Sequence, residues 1–157
     1  YGLYDSRSKT INNLKRFDIV ICSFTKQTND TLIKRIIGLP GETIKFVNNG
    51  HLQVKNNDGV FKYINQPIDE QYLPSSADSP YPVGEICIPE NCYYVCGDNR
   101  AHSSDSRNPD LGSQRFIEKD GMYGKAVYLV GYCNVKQVSG TSTYEVDKVN
   151  YTWPRKL

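Results

Sequence analysis

A mostly β protein is predicted by three observations in this 157-residue chain. Turn-forming Gly, Pro, Asn, Asp and Ser are spread along its whole length. Val and Tyr, which favour strands, are common. The apolar runs are short, and many alternate with polar residues. Hydrophobic residues make up 38% and charged residues 23%, a balance that supports a packed core rather than disorder. The length suits one domain, or a core with a small subdomain. No run of about 18 apolar residues occurs, so nothing within these residues is long enough to span a membrane as a helix. The net charge of +2 is too weak to imply nucleic acid as a partner. The chain opens at Tyr1 rather than Met, which reads as a start partway into a longer protein.

In chain order, residues 1–16 are polar and read as a loop or tail. "FDIVICSF" (17–24) has the character of a mostly buried strand. "KQTND" (26–30) is a turn, and "TLIKRII" (31–37) is the next strand, so the two are expected to form a hairpin. In "GLPGE" (38–42), Pro40 fixes φ and Gly41 is free to take positive φ. "TIKFV" (43–47), "HLQVK" (51–55) and "VFKYI" (60–64) are short strands separated by "NNG" and "NNDG", strong hairpin signals. From Asn65 to Gly84 an irregular surface excursion is expected. "EICI" (85–88) and "CYYVC" (92–96) return to strand character. The segment 97–114 is almost wholly polar and unusually long for a plain loop. A short helical turn at Ile117–Asp120 leads to a strand around Ala126–Cys133, and 136–157 reads as a polar tail.

Five cysteines stand at 22, 87, 92, 96 and 133. Their spacing is not that of a zinc site, and His51 and His102 do not complete one. Cys87 and Cys92 flank the turn-like "IPEN" and could face each other across a hairpin. The plainer reading is that the cysteines are small buried hydrophobes.

Two stretches carry chemistry. Strand alternation sends Leu32, Lys34 and Ile36 to one face of the 31–37 strand. A lysine with such neighbours loses hydration, which disfavours its ammonium form, and a neutral lysine can serve as a general base. On an ordinary half-exposed strand the same lysine would simply snorkel to water. The second stretch, 97–107, packs Asp98, Arg100, Asp105 and Arg107 with Ser103, Ser104 and Ser106 into one loop. Two acids and two guanidiniums can build a bidentate ion-pair frame, with hydroxyls at its edge. The alternative is a solvated, charge-paired turn. His102, Ser103 and Asp105 spell a Ser-His-Asp triad, but such triads converge from separate parts of a chain.

"RFDIV", "IKRIIGLPGE" and "YYVCGDNRAHSSDSR", in this order and at these separations, closely resemble the conserved boxes of bacterial type I signal peptidases. "YGKAVYLV" resembles a later strand of that family, so the likeness spans roughly residues 17–130. The resemblance implies a fold of coiled antiparallel sheets with short hairpins and a polar catalytic-core loop. It implies a single extracytoplasmic catalytic-domain fragment over 1–157, with a small inserted β/irregular subdomain around 48–86. It also implies a membrane-anchored serine endopeptidase with a Ser/Lys dyad. Such an enzyme removes signal peptides from exported preproteins outside the bacterial cytoplasmic membrane, with no metal or organic cofactor.

Carried over to these residues, the resemblance makes Lys34 the general base and Ser103 the hydroxyl that orients its amine. Asp105 and Arg107 become a supporting ion pair, and Asp98 and Arg35 a second one. Leu32 and Ile33 lie on the strand that pairs with the extended substrate. The family's nucleophile is a Ser in a Ser-Met-x-Pro segment upstream of "RFDIV". The sole methionine here is Met122, preceded by Gly121. The expectation is therefore a fragment without its nucleophile segment, without the lipid-embedded anchor that precedes it, and with an incomplete oxyanion hole. Such a fragment should be inactive by itself, and apolar strand surface left exposed on it could drive self-association. The alternatives are a non-catalytic homologue that binds exported peptides or partners, and a self-cleaving Ser/Lys repressor. The repressor needs a DNA-binding domain and a cleavable internal segment, and neither is visible in the sequence.

Overall fold

A computed structural model describes residues 2–5, 11, 13–24, 31–47, 50–66, 81–139 and 144–156. Eleven strands are present among these residues: β1 (Gly2–Asp5), β2 (Ile19–Cys22), β3 (Leu32–Gly38), β4 (Thr43–Val47), β5 (His51–Lys55), β6 (Phe61–Ile64), β7 (Ile86–Cys87), β8 (Cys92–Cys96), β9 (Ile117–Glu118), β10 (Met122–Gln137) and β11 (Tyr144–Lys156). All the pairings are antiparallel. One sheet runs β1-β10-β2-β3-β8-β9, with β11 also paired to β10, and a four-stranded sheet runs β6-β5-β4-β7. The mostly β expectation holds.

The central strands β3 and β8 feed two cores, because alternate residues of a strand point to opposite faces. Ile37, Tyr94 and Cys96 go to the core shared with the four-stranded sheet, where they meet Ile44, Phe46, Leu52, Tyr81, Ile86 and Ile88. Ile36, Tyr93 and Val95 go to the other core, with Val20, Cys22, Ile117 and Met122. Burial on both faces explains why β8 reads as an almost unbroken apolar run. β4 is half-buried and alternates instead: Ile44 and Phe46 face inward, and Thr43, Lys45 and Val47 face outward.

The turn after β3 takes the form its residues demand. Glu42 N–H donates to Leu39 O at 3.2 Å, and Gly41 sits at φ 76°. Pro at the second position and Gly in the left-handed third position define a type II turn.

Four expectations are corrected. Gly2–Asp5 is a strand on β10 rather than loop. Tyr144–Lys156 is a 13-residue strand on β10 rather than a tail. The first is too short to show a pattern and the second mixes charged residues with Val146, Val149, Tyr151 and Trp153; each pairs with an edge of β10. The helical turn expected at Ile117–Asp120 is instead strand at Ile117–Glu118, paired with β8, followed by a 3-10 turn at Lys119–Gly121. Cys22 and Cys96 are buried as expected, but Cys87 is exposed. β7 turns Ile86 inward against Ile44, so Cys87, opposite Thr43, must face out. Cys22, Cys87, Cys92 and Cys96 are free thiols. The turn at 26–30 and most of the 65–84 excursion lie outside the described residues.

Candidate active site

Lys34 sits in the middle of β3, opposite Val20 of β2. Opposed residues of an antiparallel pair share a face. Lys34 therefore stands among Val20, Leu32 and Ile36, and its side chain is half-buried. Its Nζ donates to Ser103 Oγ at 3.2 Å, across 69 residues of sequence. Next to it, Ile33 is 61% exposed and Leu32 half-buried, so this stretch of β3 presents an accessible apolar edge beside the amine.

Two bidentate ion pairs frame this contact. Arg35 donates through Nε and Nη2 to the two carboxylate oxygens of Asp98, each at 2.7 Å. Its Nη1 donates to Phe17 O at 2.9 Å. Phe17 occupies the left-handed region at φ 71°, which a bulky side chain rarely adopts. Its N–H donates to Ile36 O at 2.8 Å, so backbone and Arg35 together hold the strained residue at the entry to β2.

The second pair is buried. Arg107 Nε and Nη2 donate to Asp105 Oδ1 and Oδ2 at 2.8 and 2.7 Å, and both side chains are nearly inaccessible. Asp105 also accepts from Gly97 N–H at 2.9 Å, and the nearby Ser103 hydroxyl favours its charged form. Burial pushes its pKa up, but the Arg107 hydrogen bonds and charge, with those two groups, hold it below the ordinary carboxylate range. Arg107 shows the mirror effect: burial opposes its charge and Asp105 more than restores it.

Gly97 closes the arrangement. A Cβ there would intrude on the Ser103 side chain and lie 3.7 Å from Lys34 Nζ. Only glycine lets the loop return this closely to its own start. Ser106, completely buried, ties the loop to β8: its Oγ accepts from Val95 N–H at 2.9 Å and its N–H donates to Val95 O at 3.1 Å.

Of the residues singled out in the sequence, Lys34 meets Ser103, Arg35 meets Asp98 and Asp105 meets Arg107, with Leu32 and Ile33 next to Lys34 on β3. Arg100 departs from the expected frame. It pairs with neither Asp98 nor Asp105, and its fork reaches Gly97 O, Tyr81 Oη and Gln66 Oε1 instead. Tyr81 and Gln66 carried no local signal, because nothing in the 65–84 stretch shows what it packs against. His102 is exposed, at the end of the 3-10 turn Arg100–His102. Among the described residues no group of His, Cys, Asp or Glu is arranged to hold a metal ion.

The antiparallel scaffold and this polar loop define a β-rich protein with one preorganised lysine–serine contact. A profile of the family described as signal peptidase, peptidase S26, matches residues 2–131, and the chain belongs to that family. It is similar to signal peptidase I P of Bacillus subtilis subsp. natto: 35% identity over 108 residues, 64% of this chain and 52% of the relative. It is also similar to signal peptidase I of Leptolyngbya laminosa: 33% identity over 123 residues, 74% of this chain and 52% of the relative. Among solved structures it resembles the crystal structure of a signal peptidase I from Enterococcus faecalis V583. The TM-score is 0.54 and the identity 25%, covering 72% of this chain and 96% of the other. The chain spans about half the length of these two curated relatives.

Proposed function

We propose that the chain carries the core of a signal peptidase I, a serine endopeptidase that cleaves signal peptides from exported preproteins. Its expected setting is the outer side of the bacterial cytoplasmic membrane, with membrane lipid met through an N-terminal anchor. The observation that carries this reading is the 3.2 Å approach of Lys34 Nζ to Ser103 Oγ inside a loop locked by Asp105 and Arg107.

The hydrogen-bond directions assign the roles. The Ser103 oxygen accepts from the amine of Lys34 at 3.2 Å. A neutral amine has two N–H groups and one lone pair. Spending one N–H on Ser103 leaves the lone pair free to take a proton from an attacking serine. Lys34 then returns that proton to the leaving amine and activates the water that resolves the acyl-enzyme. Arg35 and Asp98 hold the end of β3. The edge at Leu32 and Ile33 receives the substrate as an added strand, so main-chain hydrogen bonds supply affinity and small pockets supply choice.

The chain contains no Ser-Met-x-Pro sequence, and the proposal includes a nucleophile supplied from outside these residues. The β4–β7 sheet supports reading 48–86 as a small inserted subdomain.

The test uses a signal-peptide substrate with the purified chain and with a polypeptide that extends it to include the nucleophile segment. The extended form should cleave, and Lys34→Ala should abolish cleavage. The 157-residue chain should be inert. Cleavage by the chain alone that Lys34→Ala removes would overturn the external nucleophile. Full activity of Lys34→Ala in the extended form would overturn the role of Lys34. Tight peptide binding without turnover in the extended form would favour a non-catalytic peptide binder.

A further inference from the structure

Arg100 is the largest fully buried side chain among the described residues, 1% exposed. Among those residues its acceptors are all neutral: Nε donates to Gly97 O at 3.2 Å, Nη1 to Tyr81 Oη at 3.0 Å and Nη2 to Gln66 Oε1 at 2.8 Å. Burying a guanidinium is costly, and an apolar side chain of similar volume would fill the space without that cost. What the guanidinium adds is direction, since its planar fork fixes three acceptors relative to one another.

The three acceptors belong to two different parts of the molecule. Gly97 is the residue that approaches Ser103, and its N–H is held by Asp105. The carbonyl of Arg100 accepts from Arg107 Nη1 at 2.6 Å, so Arg100 is built into the same loop frame. Gln66 and Tyr81 lie on the far side, with the four-stranded sheet. The Gln66 amide donates to Gly50 O at 2.8 Å, in the turn between β4 and β5. The Tyr81 ring packs on Phe46 of β4 at 4.7 Å between centroids and lies so close to Gly50 that no Cβ fits there. Both acceptors are therefore referenced to the β4–β5 turn.

We infer that Arg100 is a positioning residue, and that Gln66 and Tyr81 act through it to make the four-stranded sheet a brace for the Lys34–Ser103 contact. The sheet is then part of the catalytic apparatus without touching substrate: its β4–β5 turn sets where Gly97 lies, and Gly97 sets where Ser103 meets Lys34. For its catalytic consequence this inference rests on the function proposed above.

Two readouts separate the inference from that function. The first is amide hydrogen exchange on the 157-residue chain. Tyr81→Phe keeps the ring against Phe46 and removes one acceptor, and Gln66→Leu removes the other. In the double variant the Gly97, Ser106 and Arg107 amides should exchange about tenfold faster, the size expected for lost hydrogen bonds to a buried charged group. Amides of β4 and β5 should be unchanged. Unaltered loop exchange, or an equal rise everywhere, would overturn the brace.

The second readout is steady-state kinetics of the extended, active form. The double variant and Arg100→Met should lower kcat about tenfold with KM held, because the substrate edge on β3 is untouched. Arg100→Lys should not restore kcat, since an ammonium has no fork, and Lys45→Ala on the outer face of the same sheet should change neither readout. Accelerated exchange with unchanged kcat would overturn the link to the reaction. An unmutated extended form that fails to cleave would sink the proposed function, while exchange would still decide the brace.

Discussion

Single residues in this site are constrained by contact more than by composition. Gly97 is the clearest case, because space for a side chain is taken by Ser103 and, just beyond, by the amine of Lys34. Gly97→Ala must push the Ser103 hydroxyl away from Nζ or move the loop. In the active extended form the expected result is a loss of turnover of about a hundredfold or more, as a displacement near 1 Å at a reacting group produces. The chain should still fold, because no backbone hydrogen bond is removed. Wild-type turnover by Gly97→Ala would show that the Lys34–Ser103 distance does not govern the reaction. The loop that carries Ser103 is held in turn by the Asp105 carboxylate, which accepts from Gly97 N–H and Arg107.

At the level of elements, β11 contrasts with β3 and β8. β3 has β2 on one side and, from Arg35 onward, β8 on the other, whereas β11 pairs only with β10 among the described strands. Its described side chains are all exposed, including Val146, Val149, Tyr151 and, at 93%, Trp153. A long edge with apolar side chains is a template for pairing with another chain, although Lys148 and Pro154 partly blunt it. Self-association through this ribbon, a different surface from the anchor-facing one, is the expected outcome. Sedimentation velocity should show the mean mass rising with protein concentration, and Val149→Lys with Trp153→Lys should suppress the rise. A single mass for the unaltered chain over a hundredfold range of concentration would exclude the idea.

For the molecule as a whole, the buried Asp105–Arg107 pair links stability to pH. The folded-state pKa of Asp105 lies below the ordinary 3.8, so folding is favoured by its ionised form. That contribution is complete above pH 3.8 and is lost as pH falls through the depressed folded value, which places the loss in strong acid. Urea midpoints should therefore fall between pH 4 and pH 2 more steeply in the native chain than in Asp105→Asn. At pH 7 that variant should be less stable by about 3–5 kcal/mol, because Arg107 is left buried without its counter-charge. Equal acid slopes in the two proteins would remove Asp105 from the balance.

The elements legible in the sequence were those whose own pattern decides them. β4, β5 and β8 begin and end where alternation and turn residues place them. Lys34 stood out as a cation inside an apolar strand, and Asp105 and Arg107 as a local acid–base pair. Local sequence is thus enough for the mostly β class and for placing a lysine within an apolar strand. The remainder depends on long-range packing. The segments at 2–5 and 144–156 are strands through their pairing with β10. Arg100 leaves the nearby acids for acceptors 19 and 34 residues away. A strand's periodicity and a turn's φ are local energies, written in neighbouring residues. An edge pairing or a buried guanidinium is satisfied by whatever the fold brings to it, and no short window of sequence contains that partner.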